Sequence, residues 1–184
     1  MTETTPASFA DVLAFWREAG ADRWYKKDAV FDGELRTRFL ATWEAAAEGG
    51  LGHWNNSDEG TLALVIVLDQ FPRNMFRNDP RAYSTDALAR VTVRSALARG
   101  VDQRTEAALR AFLYLPLMHS EELADQRRCL VLFERLGDPN NLKYARDHAE
   151  IIRKFGRFPH RNGVLGRSTT KDEQAFLDSG GFSG

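Results

Sequence analysis

Two short segments of the chain combine residue types that could recognise an anion. Residues 69–77 read Asp-Gln-Phe-Pro-Arg-Asn-Met-Phe-Arg, and residues 155–162 read Phe-Gly-Arg-Phe-Pro-His-Arg-Asn. Arginine offers a fork of N–H donors that matches carboxylate and phosphate groups, and asparagine adds directional hydrogen bonds. Because ligand sites usually lie in loops, we expect both segments to form loops that serve one site.

A third polar segment, Met118–Gln126, contains the histidine best placed in the sequence for proton transfer. His119 has an unperturbed pKa near 6.5, which suits a general acid or base. The simpler interpretation is a helix start, with Ser120 as its cap and acidic residues at the positive end of the helix dipole. That interpretation explains Ser120, Glu121 and Glu122, but it does not explain His119.

These three segments together predict one polar cleft. In the catalytic version Arg73 and Arg161 clamp the anion, His119 or His160 moves a proton, and Glu121 or Asp69 orients the histidine. The predicted ligand-binding residues are Asp69, Gln70, Arg73, Asn74, Arg77, Ser120, Asp125, Arg157, Arg161 and Asn162. The structural alternative is that these arginines, with Arg167, pair with acidic residues such as Asp69, Glu121 or Asp125, or cap helix ends.

Other familiar chemistry finds little support in the sequence. There is no HExxH, nucleophile-elbow, P-loop or dinucleotide motif, so we predict no metal site and name no cofactor. Cys129 is the only cysteine and is expected to be a small core residue. His148 lies on an apolar helical stripe, where a packed core histidine is the simpler interpretation.

Length and composition indicate a single domain spanning residues 1–184. We predict that this domain is helical and cytoplasmic. A net charge of −1 argues against a broad nucleic-acid surface, and no apolar run approaches the ~18 residues that span a membrane. A single cysteine fits a reducing compartment, and the N-terminus lacks the features of a signal peptide. The two ends, residues 1–7 and 179–184, are expected to be mobile.

Hydrophobic periodicity of three to four residues predicts about eight helices and no strand. The continuous apolar run 62–68 is expected to lie in the central, buried helix, which should end before Pro72. The predicted helices span about 9–19, 29–47, 58–71, 85–99, 104–117, 121–136, 141–155 and 170–177.

Several of these segments, taken together, resemble the bacterial family of unknown function DUF924. The resemblance covers about residues 9–178 and rests on 11–16, 24–28, 68–74, 115–121, 155–162 and 165–167. It implies an all-α fold of antiparallel helix pairs stacked in a tetratricopeptide-like superhelix. It implies no activity and assigns no role to the matching residues.

Two functions from different classes fit these observations. The first is a protein whose Arg/His/Asn-lined cleft binds a small anionic ligand, with or without catalysis. The second is a non-catalytic tetratricopeptide-like scaffold that binds a peptide or a partner protein, with Trp24, Tyr25 or Trp54 as apolar anchors. The sequence indicates neither the ligand nor the oligomeric state.

Overall fold

A computed structural model describes residues 5–182 of the chain. Within that range the secondary structure is helical, with no strand, which confirms the all-α prediction. The helices are α1 (Phe9–Ala19), α2 (Ala21–Trp24), α3 (Ala29–Ala47), α4 (Asp58–Met75), α5 (Asp86–Ala98), α6 (Val101–Arg104), α7 (Ala107–Arg110), α8 (Leu115–Met118), α9 (Leu123–Leu136), α10 (Pro139–Phe155) and α11 (Lys171–Asp178). Short 3₁₀ turns occupy Gly52–Asn56, Pro80–Tyr83, Ala111–Leu113 and Pro159–Arg161.

The described residues divide into two compact units. Unit 1 holds the chain up to Arg77 together with Arg81–Pro116, and unit 2 holds Asn78–Pro80 together with the chain from Leu117 onward. The single-domain organisation and the tetratricopeptide-like stacking stay predictions. Of the ends expected to be mobile, residues 1–4 and 183–184 lie outside the described part.

Helix α4 is the centre of unit 1, as its apolar sequence predicts. Every residue from Thr61 to Pro72 is buried, and α1, α3 and α5 all pack against this helix. A cluster of aromatic rings fills the surrounding core, with Trp16 in contact with Phe71 and Phe112 at centroid distances of 5.7 and 5.4 Å. A helix that is apolar on all sides is stable only when other elements cover it all round.

The predicted end of α4 before Pro72 is wrong, because the helix continues through the proline to Met75. Proline cannot donate a hydrogen bond to the carbonyl four residues earlier, which here belongs to Leu68. The buried hydroxyl of Thr85 donates to that carbonyl at 2.6 Å, and Trp43 Nε1 donates to the same hydroxyl at 3.3 Å. A side chain from outside the helix therefore replaces the missing backbone bond, and most of the 69–77 segment is helical rather than a loop.

The fifth predicted helix is also wrong in its continuity, because residues 101–118 form short pieces rather than one helix. Thr105 has an extended backbone with ψ 138°, and its hydroxyl donates to the carbonyl of Val101 at 2.8 Å. Such a local side-chain bond competes with the helical pattern, so α6 ends after one turn. Pro116 is then the second residue of α8, where its missing N–H costs nothing.

Unit 2 is built on the pair α9 and α10, which pack together across a two-residue turn and so run antiparallel. Gly137 ends α9 in the left-handed conformation, φ 72°, and Asp138 caps α10 by accepting from the backbone N–H of Asn141. The core of this unit contains Ile151, Ile152 and Phe158. Phe155, Phe176 and Phe182 pack against it.

Across residues 5–182, the helices are all too short or too polar to cross a membrane.

Candidate functional site

The first Phe-Pro segment lies in unit 1, where Arg73 is held between two acidic side chains. Its two Nη atoms donate to the carboxylate of Asp86 at 2.8 and 3.0 Å. Nη1 also donates to the backbone carbonyl of Asp69 at 2.7 Å and lies 3.2 Å from that residue's carboxylate. These neighbouring carboxylates raise the pKa of Arg73 despite the opposing effect of burial, so it is a fully charged, engaged cation.

The same segment is tied to α3 through Asp32. Asn74 Nδ2 donates to Asp32 at 2.9 Å, and Arg77 Nη2 donates to the same carboxylate at 3.0 Å. Gln70 Nε2 donates to the buried carboxylate of Asp69 at 2.6 Å. The polar residues of this segment therefore join α4 to α3 and α5 inside unit 1.

In unit 2, residues 118–121 precede α9 and are held by side chains from its first turn. The hydroxyl of Ser120 donates to Asp125 at 2.8 Å and accepts from the backbone N–H of Glu122 at 3.1 Å. Gln126 Nε2 donates to the backbone carbonyls of Met118 and Ser120 at 2.7 and 2.6 Å. The predicted cap at Ser120 is wrong by two residues: Glu122 occupies the N-cap position, because Ser120 is drawn back to Asp125.

Glu121 connects this junction to the second Phe-Pro segment. Its carboxylate accepts from both Nη atoms of Arg167, at 2.8 and 3.1 Å, and from the backbone N–H of Phe158 at 2.8 Å. Burial alone would raise the pKa of Glu121, but the bonds from Arg167 and Phe158 lower it below its ordinary value. Glu121 is therefore an ionised anchor for the 155–167 loop.

A second carboxylate, that of the buried Glu173, closes the other side of that loop. Arg157 donates to both of its oxygens, at 2.6 and 2.8 Å, and Asn162 Nδ2 donates to it at 3.3 Å. Arg157 is the main cause of the lowered pKa of Glu173. Arg167 Nε donates to Asn162 Oδ1 at 3.0 Å, so the two ion pairs form one connected network.

In unit 2, His148 and His160 lie against Phe158 and Phe182, and His119 lies beside His148; we call these three histidines the histidine group. The rings of His119 and His148 are 6.5 Å apart, and Phe182 lies 4.5 Å from His148 and 5.1 Å from His160. Phe158 lies 5.4 Å from His148 and 5.6 Å from His160.

Arg161 stands beside the histidine group. This side chain is 6% exposed, its Nη2 donates to the backbone carbonyl of His119 at 3.0 Å, and its guanidinium lies 4.5 Å from the ring centre of Phe158. The His119 junction and the 157–162 segment are therefore brought together in unit 2.

Burial and nearby positive charge keep two of the histidines neutral. Burial, followed by His119, lowers the pKa of His148 to about 4, and burial, followed by Arg161, lowers the pKa of His160 to about 3. His148 Nδ1 lies 2.8 Å from the carbonyl of Tyr144, so this nitrogen carries the proton and Nε2 carries the lone pair. Nδ1 of His160 is buried and has no hydrogen-bond partner among the described residues.

The structure thus separates the predicted residues into two sets. Asp69, Gln70, Arg73, Asn74 and Arg77 belong to unit 1. Ser120, Asp125, Arg157, Arg161 and Asn162, with the catalytic candidates His119, His160 and Glu121, belong to unit 2. A single site that draws on both sets stays a prediction.

Three residues of unit 2 that contact the predicted site residues, Glu173, Phe182 and His148, had no site role in the sequence-based prediction. Glu173 lies 16 residues from its partner Arg157, and no local pattern links them. Phe182 falls in the Gly/Ser-rich end, and His148 reads as an ordinary core residue. Glu173 alone left a local signal, because it completes the capping box of α11 with Thr170.

Within the described part of the chain, no group of three or more His, Cys, Asp or Glu side chains is placed to hold a metal ion. Cys129 is buried, and burial raises the pKa of its thiol. A thiol in that state is not an activated nucleophile.

Comparison with known proteins identifies the class to which this all-helical chain belongs. The chain is similar to a solved structure of a protein of unknown function, ATU0120 from Agrobacterium tumefaciens, at 44% sequence identity and a TM-score of 0.90. The match covers 93% of this chain and 97% of that one. No curated protein matches the chain.

The family described as bacterial protein of unknown function, DUF924, matches residues 12–181. This chain belongs to that family.

Proposed function

We propose that unit 2 binds a small anionic ligand at the histidine group, with Arg161 as the cation that attracts it. One observation carries the proposal: His148, His160 and the buried guanidinium of Arg161 share the ring of Phe158 as a neighbour, and His119 lies beside His148 and Arg161. Arg73, Arg77, Arg157 and Arg167 make paired bonds to carboxylates of their own units. These four arginines fit the structural alternative, in which the arginines pair with acidic residues of the protein itself.

The electrostatics of the histidine group support an anion as the ligand class. Arg161 lowers the pKa of both His148 and His160, and Arg167 lowers that of His160 further. The opposing effects of Asp147 and Glu121 are smaller than the effect of burial. Burial, the largest cause of both shifts, disfavours a charge of either sign, so it is the smaller contributions of Arg161 and Arg167 that favour a negative ligand.

The side chains also suggest what part of the ligand each would contact. Arg161 would pair with the anionic group, and the Nε2 lone pair of His148 would accept from a hydroxyl or amine on the ligand. His119 is half-buried and so more open to solvent than His148. Should the ligand also be converted, His119 or His160 would move the proton, while Glu121 would keep its role of holding Arg167.

Nuclear magnetic resonance of the histidine rings tests this proposal directly. The full chain is titrated with inorganic phosphate, succinate and glucose 6-phosphate while the ring signals of the three histidines are followed. We expect at least one of these anions to shift all three sets of signals and to raise the pKa of His148, because a nearby negative charge stabilises imidazolium.

Arg161→Gln is the informative variant, because glutamine removes the charge and keeps a planar, polar N–H donor. It should weaken binding at least tenfold, while Arg135→Gln, an exposed arginine in the last turn of α9, should leave it unchanged. No shift with any of the three anions, or equal binding by Arg161→Gln and the wild type, would refute the proposal.

A cytoplasmic location and the lack of a nucleic-acid partner are part of the same proposal. The first is supported by a single buried cysteine, and the second by the net charge of −1.

A further inference from the structure

The outer surface of the α9–α10 pair carries a groove that the histidine group does not use. Its volume is about 310 Å³, and it is lined by residues at spacings of three, four and seven on each helix. This spacing means that one continuous face of α9 forms one wall and one continuous face of α10 forms the other. Leu123, Leu130 and Ala149 supply its apolar surface, and Leu123 is 43% exposed.

The rim of the groove is strongly basic. Arg127 comes from α9, and Arg146 and Arg153 come from α10. Arg153 donates through both Nε and Nη2 to Glu150, which also lines the groove, so the charge of Arg153 is balanced. Arg127 and Arg146 are exposed, and neither makes a hydrogen bond or an ion pair with any residue in the range that the structure describes.

We propose that this groove binds an acidic segment of a partner protein, with one or two bulky apolar side chains entering the groove between Arg127 and Arg146. Charge complementarity selects the partner: two uncompensated guanidinium groups on opposite walls favour carboxylates that flank an apolar side chain. The lining residues of α9 extend over seven residues, about 10 Å. That length accepts about two turns of helix or three residues of extended chain.

A second copy of this chain is the weaker candidate for the occupant. A symmetric dimer would place the same groove against itself, and Arg127 and Arg146 would then face arginines of the other copy. A small amphiphilic anion is also disfavoured, because the volume lies at the lower end of the ~300–1,000 Å³ range of small-molecule pockets. Both occupants are outcomes of the experiment.

Selection of peptides on the full chain provides the test. A phage-displayed library of random twelve-residue peptides is selected on the wild-type protein, and the enriched peptides are synthesised with a fluorescent label. We expect the enriched sequences to contain Asp or Glu on both sides of Leu, Ile, Phe or Met. Their affinity is then measured by fluorescence anisotropy.

Matched variants separate the groove from general electrostatic attraction. Arg127→Glu with Arg146→Glu should weaken binding at least tenfold. The control, Arg128→Glu with Arg135→Glu, makes the same change in net charge at exposed residues of α9 that do not line the groove, and it should stay within twofold of the wild type. Ala149→Gln fills the apolar floor without adding charge and should weaken binding about fivefold.

Four results would overturn the inference. They are enriched peptides without acidic residues, equal loss in the two double variants, no effect of Ala149→Gln, and failure to enrich any peptide. Binding of octanoate in the groove without peptide binding would assign it to a small anion instead. If the wild type dimerises and only the Arg127→Glu, Arg146→Glu variant fails to do so, the groove binds a second copy of the chain. The two experiments share only Arg135, which is an exposed control position in both, so the two proposals fail independently.

Discussion

Acidification from pH 8 to pH 5 should destabilise this protein through two histidines, the buried His148 and the half-buried His160. The native pKa values of His148 and His160, about 4 and about 3, lie below the ordinary value of 6.5 that each regains on unfolding. Well above pH 6.5 both histidines are neutral in the folded and in the unfolded chain, so their burial costs no stability there. As the pH falls below that value, the unfolded chain binds protons that the folded chain refuses, and stability is lost.

The size of the loss follows from these pKa values. At pH 5, proton uptake favours the unfolded state by about 2 kcal/mol for His148 and about 2 kcal/mol for His160. The ordinary values for Asp and Glu, 3.8 and 4.5, lie below this window, so the carboxylates titrate mainly at lower pH. A total near 4 kcal/mol is a large share of the 5–15 kcal/mol that stabilises a typical domain.

Urea unfolding at pH 8 and at pH 5 measures this difference in the free energy of unfolding. Far-UV circular dichroism is the suitable signal, because all four tryptophans lie in unit 1 and the two histidines lie in unit 2. His148→Gln retains a donor for the carbonyl of Tyr144 and should halve the loss to about 2 kcal/mol. His53→Gln, which removes an exposed histidine of unit 1, should leave the loss unchanged. If the free energy of unfolding falls between pH 8 and pH 5 by as much in His148→Gln as in the wild type, the lowered pKa of His148 is not a cause of the loss.

Two further predictions concern unit 1, and each has an internal control. Thr85→Val removes the donor to the Leu68 carbonyl and should lower the free energy of unfolding by about 1–3 kcal/mol, whereas Thr37→Val removes an exposed hydroxyl and should change it little. Urea unfolding followed by tryptophan fluorescence measures both, and equal effects would contradict the role given to Thr85. Gly33→Ala, in the open interior of α3, should stabilise by about 0.5–1 kcal/mol. Gly60→Ala should instead destabilise, because its Cβ would lie 2.3 Å from the carbonyl oxygen of Trp54, and a rise in melting temperature would refute that clash.

Much of the helical framework could be predicted because its signals are local. Ser8 with Asp11 at α1 and Thr170 with Glu173 at α11 form capping boxes, and Gly156 ends α10 in the left-handed conformation. Each feature involves residues within one or two turns, so the chemistry of neighbours along the chain determines it. The central position of α4 was predictable for a similar reason, since its apolar residues leave no polar side to face water.

The path of α4 through Pro72 could not be predicted, because the compensating donor is distant in sequence. The hydroxyl of Thr85 lies 17 residues from the Leu68 carbonyl that it satisfies, and only folding brings the two together. Without that bond the steric rule for proline would end the helix. The same limit applies to the arginines, whose donor groups could be recognised from residue type while their partners could not.

Residue type thus determined which side chains are capable of chemistry, and tertiary structure decided which of them are already engaged. Sequence alone indicated that the arginines and His119 could bind or transfer a proton, because those capacities belong to the side chains themselves. Only the fold paired Arg73 with Asp86, Arg157 with Glu173 and Arg167 with Glu121. Hydrogen bonds and pKa values depend on distances of a few ångströms between residues that are far apart in the chain. For that reason tertiary structure, rather than any motif, decided which carboxylate each of these three arginines contacts.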